Sequence, residues 1–117
     1  MSEYSVALPF PPSVNRWMRV ARGRIIKSKE WRTWIEGTGM VLHDTYLQDE
    51  PIAISCSVTI HLEPPNRRRF DIDNRAKAVL DALEAHSVLD NDDLVDRLLI
   101  TRGDIHPGGR SLIQVKW

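Results

Sequence analysis

The sequence predicts one α/β (α+β) domain, a small mixed sheet carrying two helices in the order β-α-β-α-β-β. Apolar residues alternate along residues 52–62, and two other stretches repeat them at helical spacing. Proline and glycine clusters punctuate the segments between. A chain of 117 residues with 42% hydrophobic content holds enough apolar mass for one core, and no repeat or composition shift divides residues 1–117.

Residues 4–8 are short and apolar, a first strand that Pro9, Pro11 and Pro12 stop because proline lacks the donor a ladder needs. Residues 13–27 are basic, lack a clear period and contain Gly23, so a long loop or arm is expected. Ser28 is placed to cap a helix in which Trp31, Trp34, Ile35, Thr38 and Leu42 form one mostly apolar stripe. Gly37 and Gly39 oppose it, each costing about 1 kcal/mol relative to alanine. In residues 52–62, Ile52, Ile54, Cys56, Val58, Ile60 and Leu62 alternate with small or polar residues, the clearest strand, which Pro64-Pro65-Asn66 ends. Asp73 or Asn74 then opens a second helix with Ala76, Val79, Leu80 and Leu83 on one face. Lys77 and Asp81, four apart, are expected to pair on its exposed side. Residues 95–102 and 111–117 read as strands, joined through the turn-rich 103–109 as an irregular hairpin.

Composition removes several function classes. The single cysteine, Cys56, rules out an intramolecular disulfide and a cysteine-rich zinc site; it fits a reducing compartment and a place in the core. No apolar run is long enough to span a membrane, and Met1-Ser2-Glu3-Tyr4 is too polar for a signal peptide, so a cytoplasmic protein is expected. His43, His61, His86 and His106 fall on separate elements without ligand spacing. There is no nucleophile elbow and no phosphate loop. Trp31 and Trp34 read as core, whereas Trp17 lies in the basic arm, where packing or stacking on a base would suit it.

The formal net charge is zero, but it is made of separated blocks. Arg16, Arg19, Arg22, Arg24, Lys27, Lys29 and Arg32 are opposed only by Glu30, and Arg67, Arg68, Arg69, Arg75 and Lys77 form a second basic cluster. Residues 81–96 reverse the sign. Such a chain can present a basic face to phosphates despite its neutral total.

The densest chemistry lies in Arg67-Arg68-Arg69-Phe70-Asp71-Ile72-Asp73-Asn74, followed by Lys77 and by Asp90-Asn91-Asp92-Asp93. Taken singly, each part has a structural explanation: aspartates cap helices, Asp-Asn runs make turns, and lysines are usually solvated. Taken together, carboxylates gathered near a lysine and an arginine run suit a magnesium or manganese ion facing a phosphate backbone. In an extended backbone Asp71 and Asp73 would project to one face. A helix of about 13 residues, roughly 20 Å long, separates them from Asp92, so the following loop must bring it back.

Leu8-Pro9-Phe10-Pro11-Pro12-Ser13-Val14-Asn15-Arg16 and Arg22-Gly23-Arg24 resemble the opening of RusA-type Holliday junction resolvases. The block from Arg67 to Asn74, with Lys77 and Leu80-Asp81-Ala82-Leu83, resembles that family's catalytic region, and the similarity spans almost the whole chain. The resemblance implies a RusA-like fold and a homodimeric, magnesium-dependent endonuclease, with manganese able to substitute. Such an enzyme cuts four-way DNA junctions during recombination and repair, in a bacterial cytoplasm or a phage-infected host. It assigns Asp71, Asp73, Lys77 and Asp92 as catalytic, with Asp71, Asp73 and Asp92 as metal ligands. Where relatives often show two adjacent acids, Asn91 takes the first position, which keeps Asp90 and Asp93 as alternatives to Asp92. Phe70 stands where a basic residue can occur, exchanging a phosphate contact for packing, and Asn74 would support an acid from outside. Arg67, Arg68 and Arg69, with Arg16, Arg19, Arg22, Arg24, Lys27 and Lys29, would grip the DNA backbone. Two other readings stay open: a DNA-binding module without cleavage, and a nuclease for flaps or other branched DNA.

Overall fold

The computed structural model describes residues 2–14, 18–21 and 23–117, and of residues 18–21, 24 and 25 the backbone alone. Strand β1 (Glu3–Leu8) is followed by β2 (Met18–Ala21), β3 (Arg24–Lys27) and helix α1 (Lys29–Thr45). Then come β4 (Cys56–Glu63), α2 (Asp73–Ala85), a 3₁₀ turn (Asp92–Leu94), β5 (Val95–Arg102) and β6 (Arg110–Lys116).

Alternation in β4 sets the architecture. Cys56, Val58, Ile60 and Leu62 are buried on one face of a four-stranded sheet in the order β1-β6-β4-β5. Ile113 and Val115 of β6 and Tyr4 and Leu8 of β1 extend that apolar face, and both helices cover it with Trp31, Trp34, Leu42, Val79, Ala82 and Leu83. β6 runs antiparallel to β1 and β4, whereas β4 and β5 are parallel and joined through α2. Such a connection needs a crossover helix, and α2 supplies it.

The predicted helices are present. Ser28 caps α1, its Oγ accepting from the Trp31 N–H at 3.2 Å, and Trp31, Trp34, Thr38 and Leu42 form the buried stripe. Cys56 is buried, as expected of a core residue. Among the described residues no helix is long and apolar enough to cross a membrane.

Three expectations are corrected. Residues 18–27 are not a featureless loop: β2 and β3 pair antiparallel, with Gly23 at φ +73° in the turn. The central strand begins at Cys56, and Ile52 instead makes an isolated bridge to Leu89. The Ile52 N–H donates to Val88 O at 2.8 Å and the Asp90 N–H donates to Ile52 O at 3.0 Å, pinning the chain that leads into the Asp92 turn. Finally, β5 and β6 are not a hairpin, because β4 lies between them. Residues 103–109 must therefore cross two inter-strand spacings, about 10 Å, rather than turn tightly.

Candidate active site

The site grows from α2. Residues 73, 77, 81 and 84 recur at intervals of four, four and three, so Asp73, Lys77, Asp81 and Glu84 share one flank of the helix. The buried Ala78, Val79, Ala82 and Leu83 hold the helix to the sheet and turn that flank outward. Against it lies the 3₁₀ turn, in which Asn91 Oδ1 accepts from the Asp93 N–H at 3.0 Å as its cap. Asn91 thus has a structural task, and Asp92 is the acid directed at α2. Its Oδ2 accepts from Lys77 Nζ at 3.4 Å, and its N–H donates to Glu84 Oε1 at 3.2 Å. Asp90 and Asp93 are exposed.

Lys77 Nζ lies closer still to Asp81 Oδ1, at 2.9 Å. The expected pair forms, but not on an exposed side: the Asp81 side chain is only 11% exposed. Its other oxygen is 3.9 Å from Lys27 Nζ at the end of β3. The hydrogen bond to Asp81 raises the pKa of Lys77 above its ordinary value; partial burial opposes that, and the charges of Asp81 and Asp92 reinforce it. The group is an ammonium held between two carboxylates.

At the leading end of α2, Ile72 is the cap residue, in the αR region at φ −65°, ψ −36°, with no side-chain cap hydrogen bond. The approach to α2 is therefore not extended, and Asp71 and Asp73 do not share a face by strand alternation as expected. Neither Asp73 nor Asn74 caps the helix; Asp73 is its first residue, and Asn74 Nδ2 donates to Asp71 Oδ2 at 3.3 Å. No side-chain hydrogen bond caps the helix, although Asp73 lies in its first turn, where the helix dipole favours an acid; both acids are exposed beside an arginine run. Phe70 does pack, edge-on to Phe10 at 5.3 Å, with the Arg102 guanidinium 4.2 Å from its ring centroid. Arg75 is fixed by Pro11 O at 2.8 Å. An open cavity of about 460 Å³ lies beside Asp71, lined by Phe10, Asn66, Arg68, Arg69 and Phe70 among others.

The structure brings Asp92 to Lys77, one turn along the flank from Asp73. Among the described residues no three His, Cys, Asp or Glu side chains gather as a metal cluster. Asp71, Asp73 and Asp92 are accordingly not gathered as a three-acid cluster among the described residues of this chain. The donor chemistry nonetheless suits a hard divalent cation: carboxylate oxygens, two of them on exposed residues not spent on capping. Of the predicted DNA contacts, Arg67, Arg68, Arg69, Lys27 and Lys29 are exposed. Arg16 and Arg22, with Trp17, lie outside the described residues, and Arg19 and Arg24 lie on β2 and β3. Sequence reasoning missed Glu84, whose place on the Lys77 flank the helical spacing offered, and the burial of Asp81, which spacing does not reveal.

The model of the family described as "Endodeoxyribonuclease RusA" matches residues 9–115. The protein named "Crossover junction endodeoxyribonuclease RusA" of Escherichia coli (strain K12) is 36% identical over 111 residues, covering 94% of this chain and 91% of the relative. Its namesake in Shigella sonnei (strain Ss046) is 36% identical over the same shares, and that of Enterobacteria phage 82 is 35% identical. A family match over residues 9–115 and 36% identity across 94% of the chain place this chain in the RusA family.

Proposed function

We propose that this chain is an endodeoxyribonuclease that resolves four-way DNA junctions by paired phosphodiester hydrolysis, acting as a homodimer with magnesium. The observation that carries the reading is the return of Asp92 to Lys77, fifteen residues earlier, on a flank whose start adjoins Arg67, Arg68 and Arg69. Asp71, Asp73 and Asp92 would hold the cation, which when bound supplies a polarised phosphate and a water of lowered pKa. Lys77 donates hydrogen bonds to the charge developing on the phosphate. The Lys77 ammonium also offsets the charge of Asp92. The exposed arginines hold the DNA backbone without reading bases, which suits a substrate recognised by its branching. A two-fold dimer offers one site to each of the two strands cut in a roughly two-fold symmetric junction.

The test is Asp71→Asn on a labelled four-way junction. Cutting is expected to vanish while junction affinity holds or rises, since an anion beside DNA has been removed. Loss of binding with loss of cutting would refute the ligand role. Wild-type protein that stays bound after magnesium is added but never nicks would instead identify a binding module, and faster cutting of flaps than of four-way junctions would shift the substrate.

A further inference from the structure

Asp81 and Glu84 do none of the work assigned above, yet they make the closest contacts to the two residues on which the site turns. Lys77 is 2.9 Å from Asp81 and 3.4 Å from Asp92, so Asp81 is the nearer anchor of the ammonium. Glu84 Oε1 accepts from the backbone N–H of Asp92, fixing the turn and not its carboxylate. The two acids occupy successive turns of one helix flank, and α2 is locked to the sheet by fully buried Val79, Ala82 and Leu83. A lysine side chain has large rotamer entropy, so one that is partly exposed does not stay in place unaided. We infer that Asp81 and Glu84 are positioning residues: Asp81 holds the Lys77 ammonium at the scissile phosphate, and Glu84 holds the Asp92 turn against it. This rests on the proposed roles of Lys77 and Asp92. It explains how Lys77 keeps its place when Asp92 is engaged elsewhere: its tighter partner is a carboxylate that takes no part in the reaction.

The experiment measures single-turnover cleavage of a four-way junction, junction affinity and thermal unfolding for Asp81→Asn, Asp81→Glu, Lys77→Ala and Asp81→Asn in the Lys77→Ala background. Misplacing a reacting group by about 1 Å costs on the order of 100-fold in rate. Asp81→Asn is therefore expected to slow cleavage by roughly that factor with affinity unchanged, and Asp81→Glu to recover much of it. In the Lys77→Ala background the same Asp81→Asn change should cost nothing further, because the group it positions is gone. An equal loss in both backgrounds overturns the positioning role while leaving Lys77 itself intact. Wild-type cleavage by Lys77→Ala would overturn the underlying reading instead. Should Asp81→Asn unfold, Lys77 is read in the wild type by NMR: a slowly exchanging ammonium signal is expected, and a freely exchanging one refutes the anchor. Glu84→Ala, which removes the accepting oxygen, should slow cleavage without changing affinity; wild-type cleavage refutes its part.

Discussion

Glu63 shows how one residue's chemistry can be separated from DNA. It sits at the end of β4 opposite Arg110 of β6, and the two side chains are hydrogen-bonded. That bond is the main reason its carboxyl pKa is lowered; desolvation opposes it, and the charges of Arg110, His106 and His61 add to it. A carboxyl whose folded pKa lies below its unfolded value stabilises the fold above the unfolded pKa, and that contribution disappears as pH falls through the folded value. Glu63→Gln should therefore lower Tm at neutral pH, with the gap to wild type closing in acid; a gap of constant size would contradict the pair. What the sequence conveys at this scale is which residues are chemically unusual, and Asp71, Asp73, Lys77 and the Asp90-to-Asp93 run all stood out. It did not convey which acid of that run turns inward, because the choice depends on Asn91 capping the turn and on Ile52 pinning the chain before it. It also left Asp81 on the wrong side, since spacing fixes a neighbour but not whether the flank is covered.

Helix α1 puts two glycines two residues apart under opposite constraints. A Cβ on Gly37 would meet nothing within 4 Å, whereas one on Gly39 would lie 2.7 Å from Cε1 and 3.1 Å from Nδ1 of His86. His86, at the end of α2, is held by its Nε2 at 2.7 Å from Ile35 O, so its ring cannot withdraw without losing that bond. Alanine favours a helix interior over glycine by about 1 kcal/mol. Gly37→Ala should accordingly stabilise the protein by about that amount and Gly39→Ala should destabilise it, both read by chemical unfolding. Equal signs would show that His86 does not set the spacing of the helices. The caps follow the same logic: Ser28→Ala should cost about 1 kcal/mol through the lost bond to Trp31. Both helices and most strands were legible because periodicity is a local signal. The β2–β3 hairpin was not, since each strand has only four residues and its basic composition hides the alternation. Gly39 looked like a defect in the sequence because its reason, an imidazole from the next helix, is nonlocal.

At the level of the whole molecule, strand adjacency was the property least available to pattern reading. β5 and β6 follow one another and look like a hairpin, yet β5 pairs with β4 through the α2 crossover and β6 fits between β1 and β4. That topology sends Asp92 back along α2. Charge distribution is the other whole-molecule property, and it yields a prediction that net charge alone would miss. Arg68 and Arg69 are exposed on the segment leading into α2, beside Asp71. Arg97 of β5 and Lys116 of β6 are also exposed, and both pair with Ser57, on the sheet face opposite the helices. Neutralising either pair changes the net charge from 0 to −2, so a mere shift in overall charge would affect junction binding equally. Direct contacts do not act that way: each phosphate neutralised contributes about 0.9 to the slope of log affinity against log salt. Replacing Arg68 and Arg69 with glutamine should flatten that slope by nearly two and weaken junctions of every sequence alike, while replacing Arg97 and Lys116 should leave it close to wild type. Equal slopes for the two variants would mean that the protein meets DNA through its overall field, and the arginine run would lose its place at the backbone.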